Sequence, residues 1–325
     1  MGKAKPDTNQ DYLRVLDFGA VGDGEHDDTD GIQAAIDSLV RPMNQFGSSA
    51  SGGPICFSAG KKYKTTRPIM VRCRNLTLFG RNGLDQSARN TWIYSAHDGP
   101  AFVFPSSVND CSKPSGFRME GLLITGNDWN NNNGSCAFEI RRGSEFLEKL
   151  SFERVVVAYM TQGWRIVKAD TCTGNRQIGE FSIVDCAVNW CGQSIVFQND
   201  TSANLFCMRG TDVSHTNSIT TNPDHPVYPE AAKIRAFQCS IGPGNNFEGV
   251  YNALRIHKSD TVWCKQNFFE RNKGKYCIRL EDSTNLEIGY NRYFEPKTKD
   301  RVSIQRCTGG YCLDECFREQ SPGVT

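Results

Sequence analysis

Apolar side chains return along the second half of the chain in short alternating runs. In "NALRIHKSDTVWCKQNFF", "KYCIRLEDSTNLEIGYNRYF" and "DRVSIQRC", the pairs Leu254/Ile256, Ile278/Leu280 and Val302/Ile304 alternate with polar neighbours. That is the period of a strand with one face in a core. The pairs lie 24 residues apart, and Val262 with Leu286, Cys264 with Ile288 and Asn267 with Asn291 keep the interval. Upstream the interval widens to 31, linking Leu150 to Phe181, Phe152 to Ile183, Trp164 to Ile195 and Ile166 to Phe197. Strands that recur through Gly, Asn and Asp turns instead of helices predict a solenoid. Equivalent positions then stack about 4.8 Å apart, coil on coil. Roughly eight to ten coils fit between Cys56 and Gln305, and stacked asparagines at 267 and 291 fit a turn in which amides bond along the stack. Propellers, which repeat at about 40 residues or more, fit less well.

One segment has the other period. In "DDTDGIQAAIDSL", Ile32, Ala35, Ile36 and Leu39 share a stripe, which predicts an amphipathic helix over 29–39. Asp28 or Thr29 is placed to cap it, and Asp30 with Gln33 has capping-box spacing. A solenoid needs covered ends, so this helix is expected to close the first coil. The expected organisation is a short N-terminal arm (1–15), a parallel β-helix with its cap helix (16–305), and a C-terminal cap or tail (306–325). The last is read as a short helix that buries Cys307, Cys312 and Cys316. One polar, Pro-rich insert, Val213 to Ala232, interrupts the ladder and is read as a surface loop.

Composition refines this picture. The 325 residues include 30 glycines, which suits many tight turns, and a formal net charge of +1 gives no electrostatic reason to expect nucleic acid or an anionic membrane. No apolar run is long enough to span a bilayer. The opening "MGKAKPDTNQDYLRV" lacks the apolar core of a signal peptide, so synthesis in a cytosol without obvious export is expected. The 14 cysteines then read as reduced core thiols, with Cys186 and Cys264 at inward positions. The acids of "GDGEHDD" do not make an EF-hand, because Asp28 stands where that loop needs Gly and Ala34 where it needs Glu. No metal and no cofactor are expected, and nucleophile-elbow and phosphate-loop motifs are absent.

"VLDFGAVGDGEHDDTDGIQAAID" resembles the N-terminal signature of the pectate-lyase-like superfamily of right-handed β-helices, found in polysaccharide-acting enzymes and phage tailspikes. Asp17, Phe18, Gly19, Ala20, Gly22, Asp23, Gly24, Asp27, Asp28, Thr29, Ile32, Gln33 and Ala35 carry the match. The resemblance implies an all-β, right-handed parallel β-helix. It says less about activity, since one fold hosts several chemistries. The Gly-His-Gly and Asn-Thr-Asp elements of polygalacturonases are missing, and "LRIHKS" only echoes their Arg-Ile-Lys.

Candidate site residues lie where a rigid coil presents side chains outward. Glycoside hydrolysis needs two carboxyls in reach of one bond, and Glu139, Glu153, Glu180, Asp185 and Asp212 are the outward acids. Glu139 aligns with Arg165 and Lys149 with Glu180, a pattern that also serves charge neutralisation. Asp185 aligns with Arg154 and is read as standing where other coils carry Asn267 and Asn291. Trp129, Trp190, His225, Tyr228 and Trp263 are candidates to stack on sugar rings; Trp263 faces out because Val262 and Cys264 face in. The resemblance implies a tailspike-like virion protein of a phage tail that binds a host cell-surface polysaccharide, with depolymerisation left open. A homotrimer is expected, and the N-terminal arm would meet a tail or adaptor protein. The other reading is a free-standing polysaccharide lyase or glycoside hydrolase.

Overall fold

The computed structural model describes residues 11–40, 52–81, 90–105, 115–126, 134–142, 147–168, 178–198, 201–215, 230–298, 300–314 and 316–319. The chain winds through three long sheets. Sheet A runs from Leu13–Arg14 to Thr308–Cys312, sheet B from Asp23–Asp27 to Arg292–Phe294, and sheet C from Ile69–Met70 to Cys316–Glu319. Each strand pairs in parallel with its equivalent one coil on. This is a right-handed parallel β-helix.

The register matches the sequence periodicity row by row. Leu254, Ile278 and Val302 stack, as do Ile256, Leu280 and Ile304, and the wider coils pair Leu150 with Phe181 and Trp164 with Ile195. Because the side-chain period of a strand is two, these rows fill one continuous interior. Aromatic rings stack within it: Phe102, Phe138 and Trp164 at 5.7 and 5.4 Å, and Phe247, Phe269 and Tyr293 at 5.2 and 5.3 Å. The cysteines described are free thiols, most of them buried, and burial pushes Cys73, Cys136, Cys186 and Cys191 up to about 12. They act as small core hydrophobes.

At the corner between sheets A and B the interior is polar. Asn245 Nδ2 donates to Asn267 Oδ1 at 2.9 Å, Asn267 Nδ2 donates to Asn291 Oδ1 at 3.0 Å, and Asn291 Nδ2 donates to Asp314 at 2.7 Å. Asn245 and Asn267 also donate to the backbone carbonyls of Met208 and Ile241. The amide ladder satisfies backbone groups that a two-residue turn leaves unpaired inside the coil. Asp185 does not belong to this ladder. It lies one residue earlier, in the left-handed conformation (φ 50) shared with Arg154, Gln266 and Tyr290. Its carboxylate rests over Gly210, where a Cβ would collide with it. Cys186 holds the inward position instead.

The opening acids build the first, incomplete coil. Asp23–Asp27 is itself a strand, paired with Lys62–Thr65. The cap helix α1 spans Thr29–Asp37, shorter than expected, because the last turn tightens: Leu39 N bonds to Ile36 O, and Ser38 Oγ donates to the Ala35 carbonyl at 2.7 Å. Ile32, Ala35 and Ile36 are fully buried against the first coil. Asp28 makes no side-chain cap. It is buried, and its carboxylate accepts from the backbone N–H groups of Val21 and Gly22 at 2.5 and 3.2 Å, tying the preceding loop to the helix start. Asp27 takes over the local capping role, accepting from Thr29 N at 3.0 Å and from the hydroxyls of Thr29 and Thr66 at 2.5 Å. Nor is there a capping box: Gln33 pairs with the Met70 backbone and Asp37, and Asp30 pairs with Arg67.

Two further expectations change. The C-terminal segment is no helix, since Thr308–Cys312 and Cys316–Glu319 extend sheets A and C. The insert is shorter than the sequence suggests, since Asp212–Ser214 and Glu230–Ile234 are strands; Glu230, read as a loop residue, is buried and accepts from Tyr276 Oη at 2.8 Å.

Asp28→Ala leaves two N–H groups without their acceptor, and we expect a loss of about 2–3 kcal/mol, measured as a lower chemical-denaturation midpoint with no change in far-UV spectrum. Asp27 makes stability depend on pH in the acid range. Burial alone would raise its pKa, but the bonds from Thr29 and Thr66 outweigh that and hold it at about 2, below the usual 3.8. Its contribution is therefore present above the unfolded value of about 3.8 and is lost as pH falls toward about 2. In thermal melts across that window, Asp27→Asn should lose less stability than the native chain; equal slopes would contradict the assignment.

Candidate functional site

The outer face of sheet B changes character along its length. One outward row reads Trp92, Leu123, Val156, Ala187 and then Asp212, Asn246, Phe268, Arg292. Its upper residues Leu123, Val156 and Ala187 are apolar and buried, and its lower part carries Asp212, Asn246 and Arg292 with Phe268 among them. The next row reads Asn189, Ser214, Glu248, Glu270 and Phe294 over the same coils. Past it runs a ridge of left-handed turn residues that includes Tyr159, Trp190, His215 and Arg271.

Asp212 is held by neutral donors. Its Oδ1 accepts from Asn246 Nδ2 at 2.9 Å and its Oδ2 from Ser214 Oγ at 3.2 Å, and Ser214 lies 2.7 Å from Asn189 Oδ1. Glu248 stands one coil over and two residues on. With strands about 4.8 Å apart and about 3.3 Å of rise per residue, these two acids project from points about 8 Å apart. Glu270 is directly opposite Glu248, and Arg271 lies 3.6 Å from Glu248 and 3.2 Å from Glu270, offsetting the repulsion of stacked like charges. Rings flank the acids. Trp190 and His215 stack at 4.4 Å, and Tyr290 and Phe294 are 67% and 47% exposed. Rings of that exposure suit the apolar faces of sugars.

Beside these rows, at the A–B corner, lies a cleft of about 470 Å3 lined by Pro243, Asn246, Gln266, Phe268, Tyr290 and Arg292, among others. Gly242 allows the backbone to pass close to the Lys265 carbonyl there, with φ 114, a conformation closed to other residues.

The structure does not gather the sequence-derived acids into one place. Asp212 alone lies on sheet B. Glu139 is on sheet C, buried, and bonded to Arg141 at 2.6 Å and to Arg165. Burial alone would raise its pKa, but the two arginines more than offset that and hold it below the usual range. Glu153 is on sheet A, tied to Arg118 at 2.8 Å and Arg154 at 2.6 Å, in a cluster with Glu120. Glu180 is exposed on the same sheet, 3.8 Å from Lys149. Asp185 is the turn residue described above.

Among the aromatic candidates, Trp190 lies on the ridge beside sheet B. Trp263 projects from sheet A beside Glu287, whose pKa is lowered chiefly by the Lys265 ammonium 2.6 Å away. Trp129, His225 and Tyr228 lie outside the described residues. Sequence reasoning missed Glu248, Glu270, Phe268, Tyr290 and Arg292. A signal was present: "NNFE" (245–248) and "NFFE" (267–270) repeat the ladder asparagine followed by an outward acid.

Comparisons with known proteins agree with the fold. Residues 12–95 match the family described as rhamnogalacturonase A/epimerase, pectate lyase-like. No curated protein sequence matches the chain. Among solved structures, the enzymatically active domain of bacteriophage CBA120 tailspike protein 2 is similar at 11% identity and a TM-score of 0.51, covering 96% of this chain and 47% of that one. ORF18 of Geobacillus virus E2 is 16% identical with a TM-score of 0.40, covering 96% and 50%. The A-module of Azotobacter vinelandii mannuronan C-5 epimerase AlgE6 is 16% identical with a TM-score of 0.38, covering 96% and 99%. The chain thus spans about half the length of the two phage proteins. The N-terminal quarter matches a pectate-lyase-like family model, and the whole has the parallel β-helix fold.

Glu139→Gln removes one member of a buried charge group. We expect it to cost about 2 kcal/mol of stability, measured as a lower chemical-denaturation midpoint.

Proposed function

We propose that this is a tailspike-like virion protein that binds a host cell-surface polysaccharide along the outer face of sheet B and cleaves it there. The observation that carries the reading is the run Asp212, Glu248 and Glu270 on consecutive coils, flanked by Trp190, Tyr290 and Phe294. A rigid face with rings and hydroxyl-bonding groups repeating at about 4.8 Å suits an extended, repeating ligand. The pectate-lyase-like N-terminal match and the likeness to a phage tailspike domain support it. A homotrimer on a phage tail, joined through the N-terminal arm to a tail or adaptor protein, completes the proposal.

Asp212 and Glu248 project from the same face of neighbouring coils, as a pair must in which one carboxyl protonates the glycosidic oxygen and the other activates a water on the opposite face of the sugar. Asp212, held by Asn246 and Ser214, and Glu248, held beside Arg271, are the proposed acid/base pair.

The purified protein should bind host envelope polysaccharide and release oligosaccharides from it. Asp212→Asn and Glu248→Gln should each slow release about 100-fold or more while binding persists. Binding without release by the native chain would contradict cleavage, and absence of binding would contradict the whole reading. Light scattering should give three times the chain mass of 36.3 kDa.

A further inference from the structure

The cleft at the A–B corner is unbalanced in charge. Asparagine and glutamine amides line it, Arg292 adds a guanidinium, and no lining residue is acidic. Many outer-surface arginines are engaged by acids: Arg165 with Glu139, Arg255 with Glu281, Arg271 with Glu248 and Glu270, and Arg306 with Asp282. Arg292 is not, and it is the arginine that lines the cleft. It is exposed, and among the described residues no carboxylate lies within ion-pairing distance of it.

Its setting is built by the coil. Phe268 is its partner one coil back, and Tyr290, two residues before it, stands 67% exposed in a left-handed turn. Asn246 is one coil further back in the same row, oriented by its bond to Asp212, and Gln266 stands exposed on the turn. Two rings offer apolar faces, two amides can read hydroxyls, and a planar guanidinium can take two oxygens of one anion side by side. The volume of about 470 Å3 lies within the range of about 300–1,000 Å3 typical of small-ligand sites.

We infer that this cleft binds a sugar residue carrying an anionic substituent, a carboxylate or a phosphate, and that Arg292 selects it. The inference rests on the glycan-binding reading above and adds a charge requirement and a place. Arg292 forks the anion, Tyr290 and Phe268 flank the ring, and the polysaccharide continues from the cleft along the acidic row beginning at Asp212. The anion is thereby anchored at the corner, and the bond cut lies in a neighbouring residue of the polymer.

The test is calorimetry on the full chain with three probes: a hexuronate-containing tetrasaccharide, the same tetrasaccharide with its carboxyls reduced to alcohols, and a phosphate-bearing tetrasaccharide. The native protein should bind at least one charged probe about tenfold or more tighter than the reduced one, and the preference should shrink with added salt. The better charged probe identifies the anion. Arg292→Met should abolish the preference, weakening the charged probe far more than the reduced one, and Arg292→Lys should keep part of it. Arg292 is exposed, so both variants should fold. Equal affinity for charged and reduced probes, or a preference that survives in Arg292→Met, overturns the inference and leaves the glycan-binding reading standing. Failure to bind any of the three, together with failure to bind host polysaccharide, overturns both.

Discussion

Backbone hydrogen bonding from each coil to the next constrains everything else in this molecule. A parallel ladder fixes the spacing at about 4.8 Å and places each residue directly over its equivalent. Whatever stands at one position must tolerate itself, or a partner, above and below. Apolar residues satisfy this by packing, as in the stack of Phe102, Phe138 and Trp164. Asparagine satisfies it by donating along the stack and accepting from behind, as Asn245, Asn267 and Asn291 do. Charged residues satisfy it by alternation, as where Glu139 meets Arg165 and Lys149 meets Glu180, or by a counter-ion beside a like-charged stack. Arg118 and Arg154 serve Glu120 over Glu153, Glu281 serves Arg255 over Arg279, and Arg271 serves Glu248 over Glu270.

That constraint explains what could be read from sequence. The rows of Leu254, Ile278 and Val302 were legible because a stacked interior repeats its chemistry at one interval. The cap helix was legible because its period differs from that of everything around it. Asp28 was recognisable as structural, but its job was not, because its partners Val21 and Gly22 are brought to it by a loop and not by helix geometry. Asp185 was displaced by one position because turn residues carry no alternation to fix their phase, and a one-residue slip exchanges an inward position for a ridge position. The C-terminal strands were hidden because "TGGYC" lacks the apolar alternation of earlier coils.

The site was less legible than the fold, for a related reason. Outward positions are free of the packing that forces repetition, so their periodicity is faint. Asp212 was visible as an outward acid, yet much of its setting lies 34 to 80 positions further on, from Asn246 to Arg292. They share a face only because intervening coils close at 22 to 34 residues each. Acids with nearby arginines, such as Glu139 and Glu153, looked equivalent to Asp212 in the sequence. The structure separates them by what each carboxylate already holds.

The account stands on one claim, that the polysaccharide lies along the outer face of sheet B. A crystal structure of the protein soaked with an oligosaccharide released from its host polysaccharide tests this most directly. The account predicts sugar density running from the corner at Tyr290 and Arg292 across Phe268 and Asn246 to Asp212 and Glu248. Density over Trp263 and Glu287 on sheet A, or over Arg255 and Arg279 on sheet C, with sheet B bare, would contradict it.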